Sequence, residues 1–414
     1  MISQISGATP PRFDSNVTIL QVLPALKSGG VERGTIEVAE AIVSAGGRAI
    51  VASEGGRMVP ELERIGAETV RLPLASKNPW RIWRNAAALT DLTNRHKVTI
   101  IHARSRAPAW SAYWASRRAK VPFLTTYHGV YNEGLPLKRY YNSVMARGDR
   151  VIAISEFVAR HITARHHISH DRITVIPRGA DLRRFSPQRV THEDEANLRK
   201  KWRLHAAGDQ KIIVLPGRLT RWKGQTLFLE ALAKLSHRED FKALIVGGEK
   251  GGDRLSNGPF ETELRSQIAQ AGLSEKAVLT GPTDIMPVAL SLSDFVVSAS
   301  LDPEAFGRVA VEAQAMGKPV IASDHGGTTE TVDPGVTGWL FKPGDSNALA
   351  QAIENALDTP SEKYEKMASA AGDRVKEKFS VASMTAATLK VYEKLLTDAS
   401  HSSGLLRSPA ARVA

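Results

Sequence analysis

Apolar residues in this 414-residue chain gather into short β-branched runs separated by stretches of helical character. Val17–Leu23 is the first run, followed by a glycine-containing loop and the helical stretch Glu32–Ala45. Further strands are expected at Arg48–Ala52, Thr69–Leu72, Val98–His102, Phe123–Thr126, Val151–Ile154 and Ile173–Ile176. The scheme then repeats, with strands expected at Ile212–Leu215, Ala243–Val246, Ala277–Leu279, Phe295–Val297 and Pro319–Ala322. Strands alternating with helices predict an α/β protein of two parallel, doubly wound sheets. The expected domains are 17–190 and 205–378, joined by a charged linker over 191–204 that contains Glu193-Asp194-Glu195. Residues 1–16 are expected to be flexible, and the small, polar segment 399–414 to be a disordered tail. Ligands of such folds bind beyond the carboxyl ends of the strands, so two facing sheets predict a shared cleft.

Composition narrows the class. Apolar residues make up 42% and charged residues 24%, as in a soluble globular protein. With no cysteine there are no disulfides or thiolate metal sites. The first 16 residues lack the apolar centre of a secretory signal. No stretch reaches the ~18 to 20 apolar residues needed to span a bilayer. The expectation is a cytoplasmic protein, with any membrane contact peripheral. The net charge is +12, and residues 1–190 alone hold 28 Lys and Arg against 14 Asp and Glu. Such a basic half suits nucleic acid, anionic lipid or a phosphorylated acceptor. Two aromatic and basic clusters lie in it: Trp80, Arg81, Trp83, Arg84, and Trp110, Tyr113, Trp114 followed by Arg117 and Arg118. They fit a membrane interface, and packing of the rings in a core is the other reading. Together with the charge, they favour peripheral binding to an anionic membrane on the cytoplasmic face.

Candidate chemistry concentrates at loops that follow strands. Glu304 and Glu312 bracket seven residues where a loop should turn into a helix. Amides near Phe306, Gly307 and Arg308 would be unpaired donors at that helix start, where the dipole favours anions. A ligand with a diphosphate, a ribose diol and a hydroxylated ring could use all of these together, and nucleotide sugars have that anatomy. Arg218 and Lys223 are five apart in one loop, able to turn toward the same phosphates as a planar fork and a mobile point charge. Gly29 and Gly30 allow close backbone approach between the first strand and helix, and they fit a plain βα turn equally well. His128 lies just beyond a strand and is followed by a glycine. His102, Arg104 and Arg106 form a second strand-end cluster suited to an anionic acceptor. Thr283, in a loop after another strand, is a candidate for lining a base pocket.

These segments resemble the retaining glycosyltransferases of family 4, which have the GT-B fold and a Glu-x7-Glu signature. The flanks carry the likeness further: Ala315-Met316-Gly317, Lys318–Ser323, Gly326-Gly327, Glu330, Gly335–Gly338 and Lys342–Asp345. The resemblance spans nearly the whole chain. It implies that the first domain binds acceptor and the second the nucleotide sugar, with a last helix at 379–398 crossing back to the first domain. Met384, Leu389, Tyr392 and Leu395 are the apolar stripe of that helix. It also implies that Arg218 and Lys223 stabilise the leaving diphosphate, that Glu312 holds the ribose, and that Glu304 contacts the transferred sugar. Gly30 and His128 would lie near the diphosphate and the donor sugar. Residues 100–114 and 127–131 resemble bacterial transferases of the lipopolysaccharide core. The expected activity is transfer of a hexose from a nucleotide diphosphate sugar to a hydroxyl of a glycan or glycolipid. No cofactor is implied, and no Asp-x-Asp pair follows a strand to suggest a metal. A nucleotide-sugar epimerase of the same fold and a nucleic-acid-binding protein are the rival readings. No recognised nucleic-acid motif supports the second, so no nucleic acid is expected as a partner.

Overall fold

In the computed structural model, residues 11–27, 29–131, 134–204, 210–249 and 258–405 are described, without the side chains of 402–405. Two compact units emerge, one of Met1–Arg178 with Val381–Ala414 and the other of Gly179–Ser380.

The first unit holds seven parallel strands: β1 (Thr18–Val22), β2 (Arg48–Ser53), β3 (Glu68–Arg71), β4 (Ile100–Ala103), β5 (Phe123–Tyr127), β6 (Arg150–Ala153) and β7 (Ile173–Val175). Their order is β3-β2-β1-β4-β5-β6-β7. The second unit holds six: β8 (Lys211–Pro216), β9 (Phe241–Val246), β10 (Ala277–Gly281), β11 (Phe295–Ser298), β12 (Val320–Ser323) and β13 (Gly338–Phe341). Their order, β10-β9-β8-β11-β12-β13, repeats the doubly wound plan. Each sheet reverses direction of winding once, between β1 and β4 and between β8 and β11. At such a reversal the loops on either side diverge and leave a crevice at the carboxyl ends. All twelve expected strands are present, and β13 is added to them at Gly338–Phe341.

The helix Val381–Leu405 belongs to the first unit. Its Met384, Leu389, Tyr392 and Leu395 pack with Ile36, Ala39 and Ile42 of the helix Gly30–Ser44 in one buried cluster with β1 and β2 residues. Fully burying an aliphatic side chain contributes about 1.5–3 kcal/mol, so four such positions fix the helix to this sheet. The helix continues through residues 399–405, where a disordered tail was expected; 406–414 lie outside the described residues. At the other end, Phe13 donates its N–H to the Ala45 carbonyl at 2.7 Å and packs on the same core. Only residues 1–10 of the expected flexible start lie outside the described residues.

The chain passes between units at Arg178–Gly179, upstream of the expected linker at 191–204. That segment contains the helix His192–Lys201, begun by a capping box in which Thr191 and Asp194 each satisfy the other's backbone N–H. Leu198 and Trp202, one turn apart, are buried against Ile212, Val214 and Leu244 of the second unit. The acidic residues supply the first turn of this helix, where the dipole favours them.

Candidate active site

In the second unit the site is built where β8 and β11 diverge. After β8 the chain runs through Gly217 and Arg218 into a 3₁₀ turn at Arg221–Lys223, closed by Gly224 in the left-handed region (φ 75°). Any Cβ at Gly224 would drive into the Ala299 carbonyl just past β11, so only glycine lets these loops meet. The Leu301 N–H donates to the Trp222 carbonyl at 2.7 Å and stitches them together.

This contact delivers Lys223 to Glu304. Lys223 Nζ lies 2.6 Å from Glu304 Oε1, with the side chains only 15% and 12% exposed. Ser300 Oγ donates to the same carboxylate oxygen at 2.6 Å, and Ser300's carbonyl lies 2.9 Å from His325 Nε2. The Trp222 ring backs the ammonium, 4.4 Å from its centroid. The Glu304 carbonyl accepts the Gly327 N–H at 2.7 Å, and side chains at Gly326 or Gly327 would strike the backbone of Glu304–Phe306. The carboxylate is therefore fixed from both its side chain and its backbone.

Three residues on, Gly307 (φ 87°) precedes the helix Arg308–Ala315 and gives it no side-chain cap. Its first amides have no intrahelical acceptor and carry the positive end of the dipole. Phe306 anchors the turn, buried with its ring 5.8 Å from that of Phe379. The helices Gln225–Lys234 and Gly30–Ser44 likewise begin behind glycines, Gly224 and Gly29, without a side-chain cap. Elsewhere Asn78, Ser155, Thr191 and Asp345 accept hydrogen bonds from the first-turn amides of their helices. Other helices, among them Arg106–Ala119 and Pro259–Gln270, also lack a side-chain cap, and the helix Gly30–Ser44 carries Glu32 in its first turn; the Arg308–Ala315 helix has no acidic residue there.

The other candidates in this unit are dispersed around that pair. Glu312 sits one turn inside its helix, half-buried, and accepts from Arg308 Nη2 at 2.5 Å. Arg218 projects an exposed side chain from the Lys223 loop, while its carbonyl accepts from Gln225 Nε2 at 2.9 Å. Thr283 Oγ1 accepts the Ile285 N–H at 3.3 Å within its own turn.

In the first unit, Gly29 (φ 134°) and Gly30 begin the first helix beyond β1, and Ser28 lies outside the described residues. Arg178, just after β7, donates from Nη2 to the Gly30 carbonyl at 2.5 Å. Gly34 makes room for it, since a Cβ there would collide with the guanidinium. Sequence reasoning missed Arg178, because nothing local marks a residue that acts 148 positions away. It also missed Ser300, His325 and Trp222, which hold the Lys223–Glu304 pair.

His128 sits one residue past β5 with its Nε2 buried and without a hydrogen-bond partner. Burial, reinforced by Arg104, Arg178 and His102, holds its pKa well below the usual histidine value, so the imidazole is neutral near pH 7. Of the expected acceptor cluster, His102 is a correction. It is fully buried, with Nδ1 2.7 Å from Tyr392 Oη and Nε2 2.7 Å from Thr126 Oγ1. Both ring nitrogens are occupied inside the core, leaving nothing for a ligand. Arg106 donates to Asn142 Oδ1 at 2.9 Å and stacks on Tyr131, 4.0 Å from the ring centroid. Arg104 is buried. For the first ring of the Trp110–Trp114 cluster, the core-packing reading is the one that holds. Trp110 is buried, stacked on Tyr140 and donating to the Tyr141 carbonyl. Trp80 and Trp83 are 65% and 49% exposed, their rings stacked 5.2 Å apart.

Two doubly wound parallel sheets, each with one point of reversal, are the architecture of a GT-B enzyme. Residues 28–184 match the model described as Glycosyltransferase Family 4, and 197–374 the model for glycosyl transferases group 1. A crystallised glycosyltransferase from Rickettsia africae is 39% identical, covering 93% of this chain and 99% of its own, with a TM-score of 0.83. HepE of Anabaena, solved in complex with UDP-glucose, is 25% identical over 91% of this chain and 99% of its own, at a TM-score of 0.75. D-inositol 3-phosphate glycosyltransferase of Nocardia farcinica is 32% identical over 258 residues, 58% of this chain and 54% of that protein. The chain thus spans about half the length of this last relative. It belongs to the glycosyltransferases of the group 1 and family 4 type.

Proposed function

We propose that the protein transfers a hexose from a nucleoside diphosphate sugar to a hydroxyl of a glycan or glycolipid, with retention of anomeric configuration. The Lys223–Glu304 pair beside the uncapped helix Arg308–Ala315 is the observation that carries this reading. A cation and open amides suit a diphosphate, and a fixed carboxylate suits the hydroxyls of a sugar. HepE, a related structure, holds UDP-glucose, which makes a uridine diphosphate hexose the first donor to test.

In the proposed reaction the bond between the anomeric carbon and the β-phosphate oxygen breaks, its electron pair staying on phosphate. The acceptor hydroxyl bonds to that carbon on the face the phosphate leaves, and its proton passes to a phosphate oxygen. No covalent enzyme intermediate is needed. Lys223, Arg218 and the amides of Gly307 and Arg308 offset the charge developing on the diphosphate, without a metal ion. Glu304 orients the sugar, Glu312 accepts from the ribose diol, and His128 contacts the sugar as a neutral hydrogen-bonding group. Gly29 and Gly30 let the backbone approach the donor, and Thr283 lines the base. The acceptor belongs to lipopolysaccharide or another cell-envelope polysaccharide, reached from the cytoplasmic side of the inner membrane.

Donor hydrolysis measured across uridine, guanosine and adenosine diphosphate hexoses tests the donor class. Turnover of one base series is expected, and no release of nucleoside diphosphate from any of them refutes the reading. The anomeric proton coupling of the product, read by NMR, decides retention.

A further inference from the structure

The first unit has its own point of reversal, between β1 and β4, and Arg104 stands on it. It is the first residue beyond β4, and its N–H donates to the Val22 carbonyl at the end of β1, at 2.9 Å. Its side chain is 2% exposed, yet Nε is buried with no hydrogen-bond partner. The neighbouring strand ends in the same condition. Ala103 pairs with Thr125 across β4 and β5, and His128, three residues further along, leaves Nε2 buried and unpartnered.

A charged donor left unsatisfied out of water is costly, more so than the about 1–3 kcal/mol of a neutral group. The Arg104 Nε–H, beside the unpartnered His128 Nε2 of the adjacent strand end and at the reversal where an α/β sheet takes its ligand, describes a site awaiting an acceptor. The field there favours an anion. Arg104 and Arg178 both bear on His128, and Arg178 reaches the Gly30 carbonyl at the start of the first helix, whose first turn also carries Glu32. The groups opposing Arg104 are Glu37 and Tyr392. Burial pushes the Tyr392 phenol well above its usual range, so it stays neutral and Glu37 is the carboxylate that opposes Arg104.

We infer that Arg104 holds an anionic substituent of the acceptor, a phosphate or a carboxylate, beside the donor-facing His128; this rests on the transferase reading above. The oxygens of either group accept from the guanidinium Nε–H. The acceptor is then recognised by a charged oxyanion as well as by its hydroxyl.

The full-length protein is titrated with inorganic phosphate at constant ionic strength, with melting temperature as the readout. Parallel titrations use Lys223→Ala, which removes the cation proposed for the donor diphosphate. A saturable rise in melting temperature is expected in both the wild type and Lys223→Ala. In the Lys223→Ala background it should disappear on adding Arg104→Gln, and on adding Arg104→Lys its midpoint should move by about tenfold, because a point charge replaces a planar fork. A response that survives Arg104→Gln in the Lys223→Ala background overturns the site, as does its absence from Lys223→Ala itself. Should Arg104→Gln fail to fold, an unchanged midpoint in Arg104→Lys overturns it equally. Weakened binding of a nucleoside diphosphate in Arg104→Gln, measured by calorimetry, would place the anion on the donor and end the acceptor assignment. A wild type that binds phosphate through Arg104 but no nucleoside diphosphate keeps the site and refutes the transferase reading.

Discussion

Replacing Lys223 by alanine separates two roles that the structure gives one ammonium group. In the free protein it pairs with Glu304 at 2.6 Å in a largely buried setting; in the proposed reaction it faces the departing phosphate. Breaking a fully buried pair costs about 3–5 kcal/mol because a charge is stranded. Here Ser300 still donates to the same carboxylate oxygen, and the pair is not wholly sealed from water, so about 1–3 kcal/mol is expected for stability. Loss of one preorganised group that stabilises developing charge lowers kcat by about 100- to 1000-fold. Urea unfolding and initial rates of nucleoside diphosphate release, at saturating donor, read the two effects independently. A double-mutant cycle with Glu304→Gln completes the test. If Lys223 acts on phosphate, most of its cost to kcat persists when residue 304 is already glutamine. If it merely positions Glu304, the second loss vanishes in that background. A kcat within about threefold of wild type in Lys223→Ala refutes the assignment outright.

Three further outcomes follow from the same structure. His102 and His128 are both held neutral with pKa values well below the usual histidine value, by burial first and then by Arg104. The unfolded chain therefore binds protons the native state refuses, so stability falls as pH drops below about 6.5 toward the depressed native values. The slope should approach about 1.4 kcal/mol per pH unit for each histidine, and His128→Asn should make the pH profile of melting temperature shallower; an unchanged profile refutes this. Gly224→Ala combines a left-handed φ with a collision at the Ala299 carbonyl. It should lower stability by more than about 1 kcal/mol in chemical denaturation, whereas Gly272→Ala, strained in φ but facing open space, should cost less. Trp80 and Trp83 stand exposed near Arg81 and Arg84. We propose that they enter the interface of an anionic membrane, so the protein should float with anionic vesicles at low salt and Trp80→Ala/Trp83→Ala should not. Retention of the wild type in the soluble fraction removes the membrane proposal.

The strands were legible because each is a short β-branched run flanked by turn residues, a signal that needs no knowledge of distant parts. β13 escaped because it opens on Gly338 and half-exposes Trp339 and Leu340, which blurs its apolar pattern. The loops of Lys223 and Glu304 stood out in the sequence by the five-residue spacing of Arg218 and Lys223 and the Glu304–Glu312 spacing, whereas the 2.6 Å pairing of Lys223 with Glu304 joins residues 81 apart and has no local signal. His102 misled because strand-end position says nothing of its partners: Tyr392 is 290 residues away. Trp110 was open to two readings for a similar reason, its cover coming from Tyr140 and Tyr141 on a later helix. The acidic run at 193–195 read as a solvated connector because helix-capping chemistry and surface charge use the same residues.

The Tyr392–His102–Thr126 connection bears on how the polypeptide is made. The first sheet emerges from the ribosome without the helix that closes one of its faces, and Gly179–Ser380 must be synthesised before Tyr392 exists. During that interval His102 lacks a bond and the surface of Ile36, Ala39 and Ile42 stays uncovered. The second unit, whose segments are contiguous, is the one able to finish during translation, and a gene fragment ending at Arg178 encodes an unfinished core.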